Sequence, residues 1–233
     1  MRRVCFNVKL IIIYTLIFSL FLFMPIIWSR KITTFSEYQQ NPYYIIIDAG
    51  HGGVDSGAVS CTGVYESAIN LEISFKLNDL MHLLGVRTVM IRNTDRSVYT
   101  SGQTIAAKKV SDIKERVRIV NSTPNAVFVS IHQNNYPDSK YSGAQVFYNM
   151  QTGSKQLAEQ VQTALREKLN PKNKRQVKRS SGIYLMEHIN CTGILVECGF
   201  LSNPTEEAKL RCDEYQKNLS SIIAATICQY LNT

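Results

Sequence analysis

From residue 43 onward, apolar positions switch between short β-branched runs and longer stretches of helical period. Tyr43–Asp48 (YYIIID) is continuously apolar up to its last residue, the pattern of a strand buried on both faces. Gly50, Gly52, Gly53 and Gly57 then predict a loop. Residues 66–84 place Ile69, Ile73, Leu77, Leu80 and Leu84 at helical spacing, with Gly85 positioned to end the helix. Val86–Arg92 reads as a strand, 112–121 as a helix and Ala126–Ile131 as a second buried strand. Gly143–Tyr148 reads as a strand nearer an edge. Ser154–Leu169 carries Leu157, Val161, Leu165 and Leu169 on one stripe and predicts an amphipathic helix. Ile183–Met186 and Gly193–Val196 are expected as strands, and a last helix runs from Glu214 to Tyr230. Strands that alternate with helices predict an α/β fold: one domain over 43–233, with a central, mostly parallel, mixed and twisted sheet flanked by helices.

The first 31 residues follow neither pattern. Leu10–Trp28 is a run of 19 uncharged residues; as a helix it would span roughly 28 Å, near the hydrocarbon thickness of a bilayer. Arg2, Arg3 and Lys9 precede it, no Ala-x-Ala cleavage site follows, and Trp28, Arg30 and Lys31 resemble an interfacial stop. Residues 1–31 are therefore expected to be a membrane anchor or a signal peptide, and 32–42 a polar tether. Either way, the domain from 43 onward is expected outside the cytoplasm, secreted or membrane-anchored.

Charge changes the picture less than it first suggests. The net charge is +8, but five of these charges sit in residues 1–31 with no acid among them, which leaves +3 for the rest. That remainder does not argue for a nucleic-acid partner. Six cysteines contain no Cys-x-x-Cys pair, so a structural zinc knuckle is not expected. Five of them follow the N-terminal segment, an odd number, so at least one is a free thiol or pairs between chains. Buried, inert cysteine is the default reading for most of them.

His51 follows the YYIIID run, His132 follows AVFVSI and Glu197 follows GILV. In open α/β sheets, ligands collect beyond the carboxyl ends of strands, where residues distant in sequence meet. Imidazole nitrogens suit a zinc ion, and the glycines around His51 suit a loop that approaches a ligand closely. From the residues alone, His51 and His132 remain balanced between metal ligands and polar groups at a sheet edge.

Four ordered motifs carry more. Asp48-Ala-Gly-His-Gly-Gly-Val-Asp55-Ser-Gly-Ala, Glu66-Ser-Ala-Ile-Asn70-Leu, Ser130-Ile-His-Gln-Asn134 and Leu195-Val-Glu-Cys-Gly-Phe-Leu-Ser-Asn-Pro204 resemble the zinc-dependent N-acetylmuramoyl-L-alanine amidases of the type 3 family. The match runs over about residues 43 to 232. The resemblance implies one Zn2+ held by His51, Glu66 and His132, with Glu197 as the catalytic acid/base. It implies hydrolysis of the amide between N-acetylmuramic acid and the L-alanine of the peptidoglycan stem. Asn134 falls where the family has a polar second-sphere or substrate-side residue, and Asn70 is read as holding the Glu66 turn. Gln133 departs from a usual small residue, Cys191-Thr192-Gly193 from a Pro-Ala-type approach, and Cys198 from an apolar position; none removes a ligand.

An N-terminal segment followed by a bare catalytic domain resembles the sporulation and germination members, which strip peptides from spore cortex before muramic-δ-lactam forms. That would place the domain in the forespore–mother cell intermembrane space. A vegetative lytic amidase is the alternative. Cys198 beside Glu197 also raises a cysteine hydrolase, and a wall-binding protein with partner-dependent or no turnover is the third reading. Expected partners are peptidoglycan, the membrane through the N-terminal segment, and an accessory protein. Arg166–Arg179, with seven bases and one acid, reads first as a solvated loop after a helix and second as a patch for anionic wall polymer or an acidic partner. His82 reads as structural or surface, and His188 as outside the motifs.

Overall fold

A computed structural model describes residues 42–232 and, before them, residues 14, 15, 18 and 19. The expected anchor or signal and the tether at 1–42 lie almost wholly outside the described residues. No helix among the described residues is long and apolar enough to cross a membrane.

Six strands form one sheet: β1 (Tyr44–Ala49), β2 (Arg87–Met90), β3 (Ala126–Asn134), β4 (Gln145–Tyr148), β5 (Lys178–Arg179) and β6 (Thr192–Phe200). Their order is β2-β1-β3-β6-β4-β5. All neighbouring pairs are parallel except β4 with β6, which makes the sheet mixed and mostly parallel, as expected. The helices are α1 (Glu66–Leu83), α2 (Ile105–Ser122), α3 (Ser154–Leu169), α4 (Tyr184–His188), α5 (Pro204–Leu210) and α6 (Asp213–Leu231).

Alternation along the central strands sends successive side chains to opposite faces. Ile45, Ile47, Val127, Val129, Ile194 and Val196 join one core with Ile73 and Leu77 of α1, Leu157 and Val161 of α3, and Ile223 and Ile227 of α6. Ile46, Phe128 and Leu195 face the other way, toward Val120 of α2 and Leu185 and Met186 of α4. Continuous apolar runs thus serve both layers at once, which is why β1 and β3 carry no polar alternation in their first halves.

The sequence expectations need four corrections. Ile183–Met186 is not a strand; Tyr184–His188 is the short helix α4. Its turn is fixed locally, with Gly182 N–H donating to Glu187 Oε1 at 2.7 Å and Gly182 at φ 78°; a four-residue apolar run carries no period able to reveal this. Helix α2 starts seven residues before the expected 112, at Ile105, where Thr104 caps it by accepting from Ala107 N at 3.2 Å. Its first turns are largely exposed and show no apolar stripe. Strands β3 and β6 run on to Asn134 and Phe200, so His132 and Glu197 lie within strands rather than after them. The 166–179 segment is also more than a solvated loop. It contains strand β5, and Asn173 Nδ2 donates to Ala144 O at 2.8 Å, fastening it to the segment that leads into β4.

Candidate metal centre and active site

His51 stands two residues beyond β1 with φ 62°, a left-handed conformation rare outside glycine. Its loop is held from below by two buried arginines. Arg92 donates to the carbonyls of Ala49 (2.8 Å), Gly50 (3.0 Å) and Ser67 (2.8 Å). Arg116 donates to the carbonyls of Ala49 (3.2 Å) and His51 (2.8 Å), and pairs with Asp48 and Asp112. Asp48 also accepts from Ser130 Oγ at 2.7 Å. Asp48 and Arg116 are only 1% and 2% exposed, so each charge depends on the other for its solvation. Burial opposes ionisation of Asp48, yet Arg116, His132 and the Ser130 hydroxyl hold its carboxyl below the usual range.

Glu66 is the first residue of α1, and its carboxylate lies between the two histidines. His51 Nε2 is 3.2 Å from Glu66 Oε2, and His132 Nδ1 is 3.0 Å from Oε1. The histidine rings meet edge to face, with centroids 4.9 Å apart. The remaining acceptor capacity of Glu66 takes Ala58 N–H (3.0 Å), Gln133 N–H (3.1 Å) and Asn70 Nδ2 (3.2 Å). Asn70 also reaches Gly50 O at 3.2 Å and accepts from Gln133 Nε2 at 3.1 Å, which makes it the brace of the Glu66 turn. A Cβ on Gly50 would lie 2.2 Å from His132 Nε2, and one on Gly57 2.6 Å from Glu66 Oε2. Both glycines are therefore required by close approach.

One donor atom from each of His51, Glu66 and His132 lies within 4.8 Å of the others. Two imidazoles and one carboxylate are the donor set of a three-ligand catalytic metal site. Asp55 Oδ2 lies 2.8 Å from His51 Nδ1, which fixes the ring so that Nε2 faces the cluster. Lys109 Nζ in turn holds Asp55 Oδ1 at 2.7 Å. Burial favours neutral His51, but Glu66 and Asp55 outweigh it and push its pKa up to about 9. Burial likewise opposes charge on Glu66, and the two histidines hold its carboxyl far below the carboxylate range.

Glu197 is the Cα partner of His132 across β3 and β6 and lines the same cleft, about 280 Å³ in volume, with His51 and Lys109. Its Oε2 is buried and has no hydrogen-bond partner among the described residues. Burial, with Glu66 adding to it against His132 and His51, pushes the carboxyl up to about 7. A carboxyl poised near neutrality beside a metal cluster can both take and give a proton. Cys198, by contrast, points to the opposite face and is fully buried; burial first, then Glu197, drives its thiol far from ionisation. The cysteine-hydrolase alternative lacks an accessible thiolate.

The structure thus brings together His51, Glu66, His132 and Glu197. Asn134 is half-buried at the end of β3, and its carbonyl accepts from Leu201 N at 2.8 Å; it does not line the cleft. His82 bonds Thr88 at 2.6 Å and His188 stacks on Tyr184, both away from the site. Sequence reasoning gave no role to Asp55, Lys109, Arg92 or Arg116. Asp55 stood inside a quoted motif; the arginines left no signal, because Arg92 bonds only carbonyls and Arg116 reaches Asp48 from 68 positions away. None of Cys61, Cys191, Cys198, Cys212 and Cys228 is in a disulfide among the described residues; Cys61 and Cys212 are exposed, so burial holds for only some of them.

Comparison with known proteins places the chain in a family. The family model for N-acetylmuramoyl-L-alanine amidase matches residues 45–229. The germination-specific N-acetylmuramoyl-L-alanine amidase of Bacillus subtilis is 36% identical over 188 residues, 80% of this chain and 78% of that protein. The amidase LytC of the same organism is 30% identical over 190 residues, 80% of this chain but 35% of the relative. Among solved structures, the CwlD amidase of Clostridioides difficile in complex with the GerS lipoprotein superposes with a TM-score of 0.78 at 37% identity, covering 81% of this chain and 98% of that one. The chain belongs to the N-acetylmuramoyl-L-alanine amidase family, and peptidoglycan is its substrate.

Proposed function

We propose that this amidase works with one zinc ion held by His51, Glu66 and His132, and that Glu197 is its general base and acid. The observation that carries the reading is Glu197, whose Oε2 is buried without a partner and whose side chain lines the cleft with His51 and His132 of the three-donor cluster. Bound zinc would supply Lewis acidity, polarising the amide carbonyl and making water acidic enough to attack at neutral pH. The chain's own residues supply the rest. Glu197 takes the proton from the attacking water and delivers it to the L-alanine nitrogen as the amide C–N bond breaks. Asp55 keeps His51 in the tautomer that presents Nε2, and Arg92 and Arg116 hold the strained loop from which His51 projects.

The similarity to a germination-specific amidase and to CwlD supports a role in spore cortex maturation, with peptides removed before muramic-δ-lactam formation. We place the domain outside the cytoplasm, tethered or exported by residues 1–31. An accessory protein is proposed as a partner, since the solved CwlD amidase was captured with a lipoprotein.

The test is mass spectrometry of purified peptidoglycan incubated with the full chain and zinc. Free stem peptides beginning in L-alanine are expected. Glu197→Ala should keep its metal and release none, whereas Glu66→Ala should lose the metal, read by elemental analysis. Chelation should stop release and thiol alkylation should not. Full activity in Glu197→Ala would overturn the mechanism.

A further inference from the structure

The basic run at 166–179 packs Leu169 and Val177 against the core but supplies no donor to the His51–Glu66–His132 cluster, and one of its cations is built into the surface. Arg175 Nε donates to Ser142 O at 2.9 Å and Nη1 to Gln145 Oε1 at 3.2 Å. Its guanidinium lies over the Phe200 ring, 4.5 Å from the centroid. The backbone around it is fixed as well, with Arg175 N–H donating to Asn173 Oδ1 at 3.0 Å and Gln176 O accepting from Gln145 Nε2 at 2.8 Å. An exposed arginine normally samples many rotamers; this one is held in place before any ligand arrives.

Its position relative to the chemistry follows from strand register. Gln145 is the Cα partner of Glu197 in the antiparallel β4–β6 pair. Directly opposed residues share a face and sit about 5 Å apart. The Gln145 side chain that receives Arg175 therefore rises beside Glu197, on the face that carries the cleft. The cleft's own cations are committed: Lys109 is paired with Asp55, and Arg116 with Asp48 and Asp112. The side-chain hydrogen bonds of Arg175 among the described residues run from Nε to Ser142 and from Nη1 to Gln145, so it has no carboxylate partner and its Nη2 no hydrogen bond among them.

We propose that Arg175 is a specificity-determining residue that binds a free carboxylate on the peptide side of the scissile amide. The inference rests on Glu197 being the reacting group. The two halves of the substrate differ in charge: the acetylated glycan is neutral, whereas the stem peptide bears carboxylates. A carboxylate on the residue after L-alanine lies roughly 7 Å along an extended chain from the scissile nitrogen. Gln145, which accepts from Arg175, stands one strand spacing from Glu197, so the guanidinium is anchored within that kind of reach. An arginine with an uncommitted edge presents parallel N–H donors suited to that group.

The experiment uses the full chain with zinc and two synthetic muramoyl peptides, one with that carboxylate free and one with it amidated. Both kcat/KM and equilibrium binding are read. The wild type is expected to favour the acid form by about tenfold or more. Arg175→Ala should bring the ratio close to one, and Arg175→Lys should keep part of it. General damage to the fold lowers both substrates together and leaves the ratio as it was. An unchanged ratio in Arg175→Ala overturns the proposal, and is also the outcome if the basic surface serves a protein partner instead. Binding of the acid form in preference, with cleavage of neither, would overturn the role of Glu197 while leaving the assignment of Arg175 supported.

Discussion

On the face of the sheet covered by α1, α3 and α6, strands β1, β3 and β6 present Ile45, Ile47, Val127, Val129, Ile131, Val196 and Cys198, all buried. On the other face the same strands begin with Ile46, Phe128 and Leu195 and then turn polar, with Asp48, Ser130, His132 and Glu197. One residue's step along a strand changes the work from packing to chemistry. The apolar face draws stability from area removed from water, without direction. The polar face holds a buried ion pair, a strained histidine and an unpartnered carboxylate, each of which costs stability and is tolerated because the opposite face supplies it.

Glu197→Gln against Leu157→Ala is the widest break in this comparison. Loss of the proposed acid/base group is expected to lower turnover roughly 10²–10⁴-fold. Stability should not fall, because a buried carboxyl without a partner is removed. Leu157, fully buried in α3, should behave in the opposite way, costing about 2–5 kcal/mol on truncation. Below its melting point, that variant should turn over at close to the wild-type rate. Denaturant melts and initial rates on the same preparations decide it; a Leu157→Ala protein that is stable but inactive would show that the faces do not divide the work.

Arg116→Met crosses the division. It leaves the Asp48 carboxylate buried with Ser130 as its remaining close donor, for an expected loss of about 3–5 kcal/mol. It also frees the His51 carbonyl, so zinc affinity should fall together with stability. Chelator-competition titration separates the two effects. Unchanged affinity at reduced stability would show that the loop needs no support from α2.

Solution pH probes the polar face alone. In the metal-free protein His51 is raised from 6.5 to about 9 and Glu197 from 4.5 to about 7. A raised pKa means that the fold favours the protonated form. The His51 contribution is therefore complete below pH 6.5 and lost as pH rises through about 9, and that of Glu197 is lost as pH rises through about 7. The proposed zinc would displace the His51 proton, so its affinity should climb about tenfold per pH unit up to that value. Melting temperatures with and without zinc at pH 6, 7 and 8 should diverge as pH rises; a constant gap would mean that His51 enters the site already neutral.

The apolar face was the more legible of the two in sequence. Runs such as YYIIID and AVFVSI and the stripe Leu157-Val161-Leu165 identify β1, β3 and α3 because burial writes a period into the chain. The polar face writes none. His51 and His132 stood out by their place at strand ends, but Glu66 opens a helix and only the ordered motifs mark it. Arg116 reaches Asp48 across 68 positions and Arg92 reaches carbonyls, so neither choice of residue leaves a local trace. Tyr184–His188 was misread because five residues contain too little of either period.

Cys198 offers the finest test, since it adjoins Glu197 in the chain yet faces the apolar core. Its sulfur lies 3.7 Å from Val196 O and does not line the cleft; its links to the site are the Gln133 side chain, which bonds Asn70, and the Glu197 charge. Cys198→Ala removes one buried atom, for which a cost of about 1 kcal/mol is expected. The rate, the pH profile and zinc stoichiometry should all stay as in the wild type, because the thiol is neutral and Gln133 keeps its bond to Asn70. A shifted pH optimum would mean that the strand transmits packing to Glu197, and that the two faces are coupled through the backbone they share.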